Sequence, residues 1–458
     1  MANPLPNKHV VAHQVFEALG EGGCPVCRLG LKAVWRDLDA LSYECVNDPV
    51  SRAELRAARG FCNYHAWQFA DEIHDGLGTA IIYRDITNTM LHVLGAADLR
   101  PASLAAQLAP QQECPACRGL ERSCRRYLDT LLEQMSDPSF RAHYVACDGL
   151  CLPHLVEGLQ RARSWRDFDL LASAFAQRAT ALADPAGADA ATLAEALAGA
   201  RGAVHSFEAP SLEGDTGAWD MDRLMGKADP QAGQPPCPVC SRVASTVDAW
   251  LAALSADTAP RHLCNTHTWR LLQVNKRPGV AGVLAPQAVR ASQRLQGLKA
   301  ADVRVIGDAG RLEALLGRPR MRRAMKAAAQ TLLPEAPCAA CALQAAVENE
   351  TVTAILAGAS AGQDHSALCV QHFRLALMLA SSAGQAALVV ESETAALRTL
   401  QWNLSEYIRK QDYRFRHEPI GEEAGAPWDA IVQVAGGKGL REQRPGLHVH
   451  RQDANGKP

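Results

Sequence analysis

Sixteen residues of this chain carry metal-binding chemistry, and they form one pattern used four times. Cys24 and Cys27 precede Cys62 and His65. Cys114 and Cys117 precede Cys151 and His154. Cys237 and Cys240 precede Cys264 and His267. Cys338 and Cys341 precede Cys369 and His372. Each unit is a CxxC followed by a CxxH, and each offers three sulfurs and one imidazole, a full shell for tetrahedral zinc. Twelve of the 15 cysteines are used this way. Four ligands close a shell, whereas catalytic zinc keeps a position open, so the set reads as structural rather than catalytic. An iron–sulfur cluster is the alternative cofactor for such cysteine-rich sets. CxxC is also the thioredoxin-type redox spacing, but no strand-rich pattern surrounds it here and the histidine motif would be left unexplained.

The ligands need elements to hold them. Pro25, Pro115 and Pro238 follow the first cysteine of three units, and proline favours the first helical position. Unit four has Ala339 there instead. Cysteines at helix N-termini are stabilised as thiolates by free N–H groups and the dipole. The CxxH is expected to open a second helix, so that each unit becomes a hairpin whose two helix starts meet at the metal. Eleven and 14 residues after each CxxC the chain is apolar: Leu38 and Leu41, Leu128 and Leu131, Leu251 and Leu254, Val352 and Ile355. That step marks one helical face. Phe61, Leu150, Leu263 and Leu368 each precede the third cysteine. Asp48–Pro49 and Asp137–Pro138 signal a helix stop and restart. Helices are expected over Val10 to Leu19, Arg28 to Val46, His65 to Leu94, Leu155 to Leu182, and Arg374 to Lys410 with a break at Ser381 to Gly384. The sequence predicts an all-α protein.

A larger repeat encloses the units. Phe207 to Pro210, Glu213 and Gly217–Ala218–Trp219–Asp220 resemble Phe415 to Pro419, Glu422 and Gly425 to Asp429. The chain thus reads as a tandem duplication. The first half is 1–230, with units 24–65 and 114–154 and a closing segment 207–227. The second is 231–436, with units 237–267 and 338–372 and a closing segment 415–436. The boundary is placed in Gly226 to Pro236, and 437–458 reads as a disordered tail.

The chain has 458 residues, 48% hydrophobic, with 47 basic and 49 acidic side chains. Four zinc ions on twelve thiolates would bring its formal charge of −2 to about −6. That balance argues against nucleic acid, despite a basic cluster at Arg318, Arg320, Arg322, Arg323 and Lys326. No long apolar run predicts a membrane span. No apolar leader is read near the N-terminus, which makes the cytoplasm the expected compartment.

Cys45, Cys124 and Cys147 fall outside the pattern and read as small buried hydrophobes, with Cys147 placed to act as a spare ligand. Trp35, Trp67, Trp250 and Trp269 read as core around the metals. Glu44, Glu133, Asp248 and Glu348 are expected to be exposed or salt-bridged. Trp219–Asp220 and Trp428–Asp429 are expected to dock on their own half, and His448 and His450 to lie in the tail. No phosphate loop, dinucleotide fingerprint or hydrolase triad signature appears.

The Cys24-Pro25-Val26-Cys27-Arg28 start, the element Gly149 to His154 and the ending Tyr407 to Phe415 resemble an uncharacterised prokaryotic family with a domain of unknown function. Its members look about half this length, so the chain resembles a fused pair. The resemblance supports the architecture and the sixteen ligands and brings no activity. The reading is therefore a non-enzymatic interaction, adaptor or regulatory protein with a protein partner. The alternative is a redox- or metal-responsive thiolate protein. A cleft between the halves lined with charged groups of shifted pKa would count against the adaptor reading. An enzyme is the third reading, and it predicts a pocket with convergent polar groups beside a metal that has a water ligand.

Overall fold

A computed structural model describes residues 10–96, 100–183, 189–201, 237–277, 279–307, 318–360, 367–415, 417–419 and 421–440. Among these residues there is no β-strand, and the fold is all-α. The closing segment 207–227, with Trp219–Asp220, the boundary at 226–236, and His448 and His450 lie outside the described residues.

In the first half, α1 (Val10–Leu19) leads to α2 (Pro25–Ala40), which runs on through a π-type turn, Leu41–Cys45. Then come α3 (Pro49–Ala57), α4 (Asn63–Gln68), α5 (Gly76–Ala96) and α6 (Pro101–Gln107). They are followed by α7 (Pro115–Gln134), α8 (Pro138–Ala146), α9 (Leu152–Arg161), α10 (Trp165–Leu182) and α11 (Ala190–Ala198). The second half has α12 (Pro238–Ala253), α13 (Asn265–Val274), α14 (Ala281–Gly307) and α15 (Arg318–Gln330). It ends with α16 (Ala339–Ser360), α17 (Val370–Leu379), α18 (Ala383–Lys410) and α19 (Ala426–Ala435).

Local sequence explains the starts. Pro25, Pro115 and Pro238 are the first residues of α2, α7 and α12, each directly after a cysteine. Cys62, Cys151, Cys264 and Cys369 are the N-caps of α4, α9, α13 and α17. Asp48 and Asp137 cap α3 and α8 by accepting from Ser51 N, and from Ser139 N and Phe140 N. Two expected helices are divided. His74 in the left-handed region and Asp75, accepting from Gly78 N at 2.7 Å, separate α4 from α5. Ser164 and Asp167 form a reciprocal cap that starts α10 afresh, which divides the helix expected over Leu155 to Leu182.

Each half is built on an antiparallel or facing helix pair, α2 with α7 and α12 with α16. Gly30 of α2 lets Leu120 and Cys124 approach closely, and Gly119 of α7 meets Asp37, so α2 and α7 run in opposite directions. The halves are then interlocked by reciprocal packing. α18 lies on α5, and its counterpart pairing puts α14 on α10. α17 packs on α6, and α9 on α15. α19 packs on α4 and α5, and α11 on α13 and α14. These main contacts of one half with the other come in matched pairs, as in a two-fold dimer whose subunits are joined in one chain. One continuous apolar core runs through both halves.

Candidate metal centres

The sixteen side chains gather into four groups, each with its ligand atoms within 4.8 Å of one another. The membership differs from the sequential units. Cys24 and Cys27 meet Cys151 and His154. Cys62 and His65 meet Cys114 and Cys117. Cys237 and Cys240 meet Cys369 and His372. Cys264 and His267 meet Cys338 and Cys341. The pairing within each half is nested, giving an outer centre from the first and last motifs and an inner centre from the middle two.

Helix lengths explain this correction. α2 with its π turn covers 21 residues, about 31 Å, while α3 covers nine, about 13 Å. The return leg therefore stops well short of Cys24. It ends where α7 begins, because Cys124 Sγ touches Val26 O at 3.8 Å and Cys114 lies ten residues, about 15 Å, earlier on α7. The same imbalance of α7 over α8 leaves Cys151 beside Cys24. Sequence reasoning assumed that each outgoing helix was matched by its return.

Donor spacing fits a tetrahedral ion. Bonds of about 2.3 Å to sulfur and 2.0 Å to nitrogen set tetrahedral edges near 3.5–3.8 Å. In the first outer centre Nδ1 of His154 lies 3.5, 3.3 and 3.3 Å from the sulfurs of Cys24, Cys27 and Cys151. Across the other three centres the Sγ–Nδ1 distances run from 3.2 to 3.7 Å. The nearest sulfur pairs are 3.5–3.7 Å apart. Each centre sits where two helix N-termini converge, as α2 with α9 or α4 with α7.

Charge makes the same point. In the second inner centre hydrogen bonds from Cys338 and Cys341 hold the Cys264 thiol well down, while the Cys341 thiol, facing Cys264 and Cys338, is pushed far up. A bound cation would favour the thiolate form of sulfurs crowded in this way. Burial pulls His267 down, but Cys264 and Cys338 raise it to about 9. In the second outer centre the Nε2 side of His372 faces Glu348 Oε1 at 3.5 Å, and Gln344 Nε2 donates to that oxygen at 2.8 Å. This carboxylate behind the ring leaves Nδ1 to face the sulfurs.

The structure adds residues that the sequence reading passed over. Gly199, just after α11, faces Cys27 and Cys151 of the first outer centre, and Ala200 N donates to Cys27 Sγ at 3.4 Å. Its carbonyl accepts from Asn265 Nδ2 at 3.0 Å and Trp269 Nε1 at 2.8 Å, both on the helix of the second inner centre. Gly436, just after α19, repeats the arrangement. It faces Cys240 and Cys369, and its carbonyl accepts from Trp67 Nε1 at 3.1 Å and Asn63 Nδ2 at 3.3 Å. Gly437, assigned to the tail by sequence, donates its N–H to Cys240 Sγ at 3.4 Å. The shared Cys-Asn-x-His-x-Trp of 62–67 and 264–269 was the available signal. Arg201 adds a counter-charge: its guanidinium lies 3.6 Å from Cys117 Sγ and 3.9 Å from Cys62 Sγ, and 4.8 Å from the Tyr64 ring centroid.

Residues 10–183 match a family of unknown function (DUF6062). That stretch holds both CxxC–CxxH units of the first half, and α1 to α10 fall within it. No curated protein and no solved structure matches the chain.

The remaining candidates separate clearly. Cys147 is not among the ligand groups; its Sγ bonds Tyr144 O and accepts from Gly149 N. Cys124 is buried beside α2, and Cys45 is half-buried. Glu133 pairs with Arg163 and Asp248 with Arg270, Glu44 is exposed, and Glu348 is the buried exception. Trp428 is half-buried against the core. No helix of the described residues is long and apolar enough to cross a membrane.

Proposed function

We propose that the chain is a zinc protein in which four structural centres hold an interlocked helical frame, and that this frame serves as an interaction or regulatory protein in the cytoplasm with a protein partner. The sixteen cysteines and histidines named above are the zinc ligands. The observation that carries this is the donor set itself: three sulfurs and one Nδ1 at tetrahedral spacing in all four centres. Four protein ligands leave no position for substrate, which supports a role in folding energy rather than catalysis.

One observation favours a second reading for the inner centres. Cys117, Cys264 and Cys341 are partly exposed, whereas all six sulfurs of the outer centres are buried. Exposed thiolates release metal to oxidants first, so the inner centres are where a redox- or metal-responsive function would reside.

Elemental analysis of anaerobically purified protein, with an absorbance spectrum of the same sample, tests the reading. About four zinc per chain and no visible band are expected. Iron with a broad brown absorbance would replace zinc by iron–sulfur clusters.

A further inference from the structure

A cavity of about 380 Å³ lies at one junction of the halves, lined by Leu152 and Leu197 of the first half and by α14, Leu332 and Pro334 to Ala336 of the second. That volume is within the range of small-molecule sites. One wall is hydrocarbon. The other carries Arg261, Arg290 and Arg294, with Glu335 as the one carboxylate among the described lining residues.

The cations outnumber their partners. Arg294 takes Glu335 at 2.8 Å. Arg290 donates to the backbone carbonyl of Arg261 at 3.0 Å, and among the described residues neither Arg261 nor Arg290 is paired with a carboxylate. Gln287 adds a buried Nε2 with no hydrogen-bond acceptor. Burial and then the neighbouring Arg294 and Arg261 pull the Arg290 pKa down, as expected where like charges crowd.

The duplication supplies an internal comparison. His262 stands two residues before Cys264 as Gly60 stands two before Cys62, and Leu197 precedes Gly199 as Val434 precedes Gly436. At the other junction Gly60 is packed against Tyr83, Ile86 and Val434, all buried. At that junction hydrocarbon fills the space beside Gly60, and Arg59, the counterpart of Arg261, is tied to the carbonyls of Arg56 and Gln107 at 2.9 and 2.7 Å. At this one the cleft is open, and Arg261 and Arg290 line it.

We infer that this second junction binds a small organic anion, a carboxylate or phosphate ester carried on an apolar body. Arg261 and Arg290 supply forked donors that match either oxyanion, Gln287 supplies a neutral donor, and the Leu152 and Leu197 wall takes the body. Three of the four charged groups lining this cleft are guanidinium groups, and the one carboxylate, Glu335, is taken by Arg294. The chemistry of the cleft is that of holding a ligand, independent of what occupies the metal centres.

Calorimetric titration of the full-length protein tests the inference with four probes: benzoate, phenyl phosphate, inorganic phosphate and phenol. Saturable binding of benzoate or phenyl phosphate is expected below about 1 mM, and which of the two binds tighter distinguishes carboxylate from phosphate ligands. Inorganic phosphate and phenol should each bind more weakly. R290Q should weaken binding about tenfold or more. R261Q, on an exposed side chain, should do the same and covers the case in which R290Q does not fold. R125Q on α7 should change nothing. No saturable binding, equal binding by R261Q and the unmodified protein, or phenyl phosphate no tighter than inorganic phosphate would overturn the inference.

Discussion

Replacing Gly199 with alanine strikes a backbone conformation, two sulfurs and an interhalf contact together. Gly199 has φ 78° and ψ 166°, a region that side-chain-bearing residues avoid at about 1–3 kcal/mol. The new Cβ would lie 3.3 Å from Cys27 Sγ and 3.4 Å from Cys151 Sγ. Relief by shifting the backbone would pull its carbonyl from Trp269 and Asn265, each bond worth about 1 kcal/mol. The expected loss is about 2–5 kcal/mol. Gly279→Ala is the matched control. It has φ 89° and nothing within 4 Å of an added Cβ, so it carries the backbone cost alone. Urea unfolding of both variants, followed by circular dichroism at fixed zinc, should show G199A at least about 1 kcal/mol worse than G279A. Equal losses would mean that Gly199 neither crowds the sulfurs nor ties the halves, and the account of the junction would fail.

Three further outcomes follow from the geometry. Mild oxidation of zinc-stripped protein and peptide mapping should recover Cys27 linked to Cys151 and Cys62 to Cys117, whose sulfurs lie 3.6 and 3.5 Å apart; links from Cys27 to Cys62 would restore sequential pairing. Asn63→Ala removes bonds of 2.8 Å to the carbonyls of Ala435 and Gly437 and should cost about 1–3 kcal/mol in unfolding. A loss under about 0.5 kcal/mol would refute its bridging role. Glu393, buried and held by Leu368 N and Gln433, has its pKa raised to about 8, chiefly by burial. The folded state keeps a proton that the unfolded state gives up near pH 4.5, so this stability is full below that and is lost as pH rises through about 8. Glu393→Gln should flatten the stability profile between about pH 5 and about 8, and an unchanged slope would rule out titration of Glu393 there.

Much of the fold was legible because single residues decide helix starts. Proline after cysteine and aspartate before proline act within one turn, and they marked α2, α3, α7, α8 and α12. Phe61, Leu150, Leu263 and Leu368 are buried as their repetition implied. The partner of each CxxC was not legible. It depends on the difference between two helix lengths, and each CxxC–CxxH unit was expected to close on itself although α3 and α8 are only nine residues long. The exchange of α18 and α5 between halves was also hidden, since amphipathic stripes state that a face is buried and not by which helix. The repeat itself held the clue in Asn63, Trp67, Asn265 and Trp269, which sit beside the ligands and bond across to the other half.

The nested pairing separates the order of synthesis from the order of assembly. Cys24 leaves the ribosome long before Cys151, and at about 5–20 residues per second the first outer centre waits roughly 6–25 s for its last ligands. The inner centre, needing only residues up to Cys117, is ready sooner. α5 waits longer still, because the helix that covers it begins at Ala383, roughly 15–60 s later at the same speed. Until then a growing chain presents cysteines without their partners and an uncovered apolar helix, so on the proposed reading the metal supply during translation would bear on the yield of this protein.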